Sequence, residues 1–214
     1  AFADSTQYYV DATSGNDAND GLSPGTAWQT LAQVSGTTFL QGDTVSLLCS
    51  ETWAETLTIA ATPGSVALPI TVNSYGSCPG DTPTVEWVTI VWSSYIIIDG
   101  IDIANATPGP IVSIDSSDYI ALQNSTISGS NATCTEVLSS TWILIDNNIV
   151  TNCLNALSVS GSEATITNNS FTNITNEGVN ISSTQTVDLS YNTLNNIAES
   201  AIIFGSATDV LRND

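Results

Sequence analysis

The chain has no Lys, no His and no Met, and its one basic residue, Arg212, stands against 21 Asp and Glu for a formal charge of −20. A surface so poor in cations repels nucleic acid and anionic membranes, and it attracts divalent cations. Without His or a Cys-x-x-Cys spacing, the usual zinc sites are excluded. No apolar run approaches the roughly 18 residues that a spanning helix needs. No helix-period pattern occurs after Gly36, which removes α-solenoids and leucine-rich repeats, since both need a helix in each unit. Yet only 10% of residues are charged, so the surface is mainly neutral and polar, with acidic residues scattered over it.

What the chain does have is a drifting repeat. Aliphatic anchors at Ile98, Leu122, Ile145, Ile166, Leu189 and Leu211 are 24, 23, 21, 23 and 22 residues apart. A rigid helical repeat would not tolerate that variation, whereas strands joined by elastic turns would. Around the anchors apolar residues alternate, as in Ile96 and Ile98 or Ile143 and Ile145, which places them on one face of short extended segments. A second apolar position precedes each anchor (Ile114, Val137, Val159, Ile181, Phe204), and a third follows (Ile103, Ile127, Val150, Phe171, Leu194). Ser, Thr, Asn and Gly turn the chain between them. Three short strands per turn predict an all-β, single-stranded right-handed parallel β-helix of about 21–24 residues per coil. The whole chain, 1–214, reads as one such domain: residues 1–40 supply a strand, a turn and a capping helix, and 41–214 the coils, the last one incomplete. The helix is expected within Pro24–Val34, where Trp28, Leu31 and Val34 share a face.

Projecting residues onto this register yields several expectations. Asn124, Asn147, Asn168 and Asn213 fall two positions after their anchors, and strict alternation places them in an internal amide ladder between coils stacked at about 4.8 Å. Six Asn-x-Ser/Thr sequons occur, at Asn105, Asn124, Asn131, Asn168, Asn173 and Asn180, and the ladder would keep Asn124 and Asn168 unmodified. The four cysteines are separated by about one coil within each pair, so disulfides are expected for Cys49 with Cys78 and Cys134 with Cys153. Together with a start at Ala1, where signal-peptide removal would leave one, this points to an extracellular or cell-surface location.

Tyr95, Tyr119 and Trp142 lie three residues before successive anchors, with Ile97 and Leu144 beside them. The register turns all five outward, as an exposed aromatic column that ends where Glu163 takes the aromatic position. Such a patch marks a partner or glycan face, unless residues 104–110 or 128–136 fold over it. The loop from Asp11 to Gly21 gathers Asp11, Asn16, Asp17, Asn19 and Asp20, oxygen ligands suited to Ca²⁺ and equally suited to turning the chain. No other cofactor is implied.

The segments YYVDATSGNDANDGLSPGTAWQTLAQV (8–34), QGDTVSLLCSETWAETLTI (41–59) and ALPITVNSYG (67–76) resemble the opening of right-handed parallel β-helix proteins of the pectate-lyase-like superfamily. That resemblance implies a first strand, a Gly/Asn/Asp turn, a capping helix and the strand that follows GDTV. Lyases of that superfamily use Lys or Arg as base, usually with Ca²⁺, and these residues offer only Arg212. Its hydrolases use clustered carboxylates with His and basic partners. Asp99 and Asp146 fall two coils apart, roughly 9–10 Å, near the upper limit for a carboxylate pair in glycoside hydrolysis, and Asp102 and Asp118 are expected nearby. The reading favoured is a non-catalytic structural or adhesive protein, a surface or filament subunit that associates through an uncapped C-terminal end. Continuation into a longer chain would cover that end equally well. The alternatives are the N-terminal part of a carbohydrate-active enzyme and a glycan-binding module.

Overall fold

The computed structural model describes residues 5–77, 80–129, 131–182, 186–205 and 210–211. Short strands, each rich in β-branched and aliphatic residues, wind into a parallel stack. One sheet has nine strands, in the order Gln7–Val10, Thr44–Leu48, Ile70–Tyr75, Ser94–Asp99, Asp118–Gln123, Ile143–Asp146, Ala164–Thr167, Val187–Ser190 and Val210–Leu211. Every neighbouring pair in it is parallel. A twelve-stranded sheet forms the remaining walls. Its long strand Thr84–Val91 pairs through Thr84 and Val85 with Asp102–Ala104, and through Val88–Val91 with Val112–Asp115. One wall thus divides into two as the coils advance.

The anchors pair as their spacing predicts: Ile98 with Leu122, Leu122 with Ile145, Ile145 with Ile166, and Ile166 with Leu189. All five are buried, as are Ile114, Val137, Val159, Ile181, Ile103, Ile127, Val150 and Phe171. Phe204, expected inside, is 51% exposed. It belongs to Ile202–Phe204, which among the described residues ends its sheet and pairs with Val179–Ser182 alone.

The capping helix is shorter than its pattern suggested. Pro24–Thr26 forms a 3₁₀ turn and only Leu31–Ser35 is α-helical. Trp28 is held in an extended stretch because its amide donates to the Tyr9 carbonyl at 2.9 Å and its carbonyl accepts from the Asp11 amide at 2.8 Å. The helix starts after Thr30, whose hydroxyl caps the Gln33 amide. Trp28, Leu31 and Val34 nevertheless all bury against the first coils.

Cys134 and Cys153 form the expected disulfide inside the stack. For the pair expected between Cys49 and Cys78, Cys78 lies outside the described residues.

The internal amide ladder exists, one position later than strict alternation placed it. Asn124, Asn147 and Asn168 adopt φ of 53°, 53° and 56° and are exposed. A residue in the left-handed region turns the strand sharply, so its own side chain points outward and the next one inward. Ser125, Asn148, Asn169 and the half-buried Asn192 therefore line the interior. Asn148 Oδ1 accepts from the Ser125 amide, Asn169 Oδ1 from the Asn148 amide and Asn192 Oδ1 from the Asn169 amide, at 2.9–3.0 Å. Asn213 lies outside the described residues. At another corner the same device builds a serine ladder: the Ser93, Ser117 and Ser140 amides donate to the hydroxyls of Ser117, Ser140 and Ser162. Composition alone marks serines at such corners only as turn formers.

Candidate functional site

The outer face of the nine-stranded sheet carries three parallel columns. The first is aromatic. Tyr95 and Tyr119 stack at 4.4 Å between centroids with planes 5° apart, and Tyr119 and Trp142 at 5.7 Å and 4°. The second holds Ile97, Ala121 and Leu144, and the third Asp99, Gln123 and Asp146, each set in one register. Tyr119 is 42% exposed and Trp142 56%. A shallow cavity of about 250 Å³ lies over the aromatic and aliphatic columns.

All three aromatics take φ near +55°. Elsewhere the chain usually gives such corners to Asn, Ser or Gly, which tolerate the left-handed region at less cost. A bulky residue there costs about 1–3 kcal/mol. Each aromatic is an inserted outward residue: two residues separate the inner Ser from the inner Ile in Ser93–Ile96, Ser117–Ile120 and Ser140–Ile143. In the next coil only Glu163 separates Ser162 from Ala164, and the column stops.

The segment flanking the column is 61–69. Gly64 donates its amide to the Ser94 carbonyl at 2.7 Å, and Val66 and Pro69 line the cavity beside Tyr95. A Cβ on Gly64 would come within 2.5 Å of the Tyr95 carbonyl oxygen, so only glycine permits this approach.

The carboxylates expected to gather do so in part. Asp99 and Asp146 occupy one column with Gln123 between them, and each accepts a hydrogen bond from an outward asparagine, Asn124 and Asn168 respectively. Asp118 borders Tyr119 and accepts from the Thr141 hydroxyl. Asp102 does not join them: it lies past the Gly100 corner, in the other sheet, opposite Thr84. The Tyr119 phenol is raised above its ordinary value, first by desolvation, then by Tyr95, Asp118 and Glu163.

The loop read as a Ca²⁺ candidate uses its oxygens to shape the turn. Asp11 accepts from the Thr13 and Ser14 amides, and Asn16 from the Ala18 amide. Asp17 accepts from the Gln29 and Thr30 amides and the Thr30 hydroxyl. The Asn19 carbonyl accepts from the Trp28 indole, and Asp20 from the Leu22 amide and Thr26 hydroxyl. Among the described residues no three His, Cys, Asp or Glu side chains are grouped as a metal site.

A continuous stack of parallel coils with inward aliphatic and amide ladders defines a parallel β-solenoid. Residues 89–214 match the family model described as right handed beta helix region, and the chain belongs to that family. No curated protein matches it. Among solved structures, a GH136 lacto-N-biosidase from Eubacterium ramulus is similar over 97% of this chain, with 12% identity and a TM-score of 0.51. This chain spans 52% of that protein's length. The pectate lyase Pel9A is similar over 98% of this chain and 78% of its own, with 12% identity and a TM-score of 0.46. Its structural neighbours thus include β-helix glycoside hydrolases and polysaccharide lyases, and the likeness is one of fold.

Proposed function

We propose that this chain is a secreted, non-catalytic adhesive β-helix that holds glycan chains on the outer face of its nine-stranded sheet. The observation that carries the reading is the Tyr95–Tyr119–Trp142 column, three stacked aromatics kept outward at left-handed corners. Strain of that kind is retained where the side chain's position matters more than the backbone's comfort. The Trp142 indole at the end of the column packs on the apolar face of a pyranose ring, the outward edges of Tyr95 and Tyr119 border the chain that continues from it, and the adjoining column of Asp99, Gln123 and Asp146 offers acceptors and an amide to hydroxyl groups. Strands lie about 4.8 Å apart, similar to the length of one sugar unit, so a chain laid along the stack would meet one coil per unit. The disulfide agrees with an oxidising compartment.

Binding of soluble polysaccharides by affinity electrophoresis, comparing the wild type with Tyr119→Ser and Trp142→Ser, tests the reading. Each variant should lose at least tenfold in affinity with an unchanged circular dichroism spectrum. Retained binding in both would refute it.

A further inference from the structure

The aromatic column is closed at one end and open at the other. Tyr95 is half-buried beside the 61–69 segment, and Tyr119 is stacked on both faces. Trp142 has a ring on one face, and because the next coil is one residue shorter, no aromatic of the described residues stands over the other. Glu163 occupies that corner instead, and its carbonyl accepts from the Ile143 amide. Trp142, 56% exposed and with Glu163 rather than an aromatic at the neighbouring corner, is therefore the ring of the column that a stacking ligand can reach.

The surroundings are uniformly acidic. Asp118 adjoins Tyr119, Asp146 ends the strand that begins just after Trp142, and Asp188 pairs with Thr165 in the same sheet. The other titratable groups at the column are the phenols of Tyr95 and Tyr119. The charges of Asp118 and Glu163 both reach the Tyr119 ring. With no Lys or His in the chain, no side-chain cation among the described residues offsets them. A uronic acid would be repelled, and a neutral sugar would leave the carboxylates uncompensated. A cation is attracted twice, by the carboxylates and by the indole π face.

We infer that the open end of the column takes a protonated amino sugar, a pyranose whose apolar face lies on the Trp142 indole and whose ammonium group pairs with the Glu163 carboxylate. This rests on the glycan-binding reading and narrows it to one class of sugar.

The test is calorimetric titration of the intact chain with a glucosamine oligosaccharide, its N-acetylated counterpart and an uncharged glucose oligosaccharide of equal length. Below the pKa of the sugar amine and at low salt, the glucosamine oligomer should bind at least tenfold more tightly than the other two. That preference should shrink as salt shortens the screening length to about 8 Å, and vanish once the amine is deprotonated. Glu163→Gln should bring the ratio of affinities close to one, and Trp142→Ser should abolish binding of the amino sugar. Equal affinity for the three oligomers would overturn the inference and leave the glycan-binding reading standing. Equally tight binding of spermine, insensitive to Trp142→Ser, would overturn it as mere charge attraction. Failure of every glycan to bind would sink both.

Discussion

Asn147 and Asn148 are neighbours in sequence and opposites in environment. Asn147 is exposed at φ 53° and donates to Asn124 at 2.7 Å, whereas Asn148 is 1% exposed. The Asn148 side chain accepts from the Ser125 amide and donates to the Leu122 carbonyl, so it satisfies two backbone groups that water cannot reach. Asn148→Ala should therefore cost about 2–3 kcal/mol, since buried groups left without partners carry their full desolvation penalty. Asn147→Gly exchanges a surface hydrogen bond for relief at a left-handed position and should stay within about 0.5 kcal/mol. Urea denaturation of the two variants separates the inner ladder from the outer one. The same logic exposes Asn124 and Asn168, which a strict alternation had hidden.

At the scale of elements, the opening loop and capping helix depend on one carboxylate. Burial would raise the Asp17 carboxyl, but hydrogen bonds from the Thr30 hydroxyl and the Thr30 and Gln29 amides outweigh it and hold the group below its ordinary 3.8. A lowered carboxyl stabilises the fold above its unfolded-state value, and the contribution is lost as pH falls through the folded value. Asp17→Ala should therefore lower the melting temperature at neutral pH, with the difference from wild type fading as pH falls below 3.8 and through the folded value. The Tyr75 phenol is pushed up to about 12 by burial, then by Asp11, Glu51 and Tyr9. Here the sign reverses: stability is present below the ordinary 10.0 and declines as pH rises from there toward 12. Tyr75→Phe should remove that part of the alkaline loss in thermal melts between those values. Tyr75 carries no signal in the sequence because its partners, Tyr9 at 5.1 Å among them, lie far from it along the chain.

For the whole molecule, stability comes from a solenoid core plus one described staple. The Cys134–Cys153 bridge closes a segment of 19 residues. Loop-closure entropy at that length is worth about 3 kcal/mol, so the Cys134→Ala/Cys153→Ala variant should unfold at correspondingly lower denaturant while keeping its β-sheet spectrum. Neutral salt should raise the melting temperature of the wild type, because a formal charge of −20 makes the compact state repel itself.

The sequence by itself determined the coil, its register and the outward setting of Tyr95, Tyr119 and Trp142, because hydrophobic alternation and a 21–24-residue period are local and cumulative. It also placed Asp99 and Asp146 in one column and paired Cys134 with Cys153. Only the tertiary structure decided what happens at the corners. A single left-handed residue reverses inside and outside, and nothing in an Asn-Asn pair tells which of the two will turn. It likewise decided that Gly64 lets residues 61–69 close on Tyr95, and that the loss of one residue before Ala164 uncovers Trp142. Those outcomes depend on contacts between coils, and a repeat length averages them away.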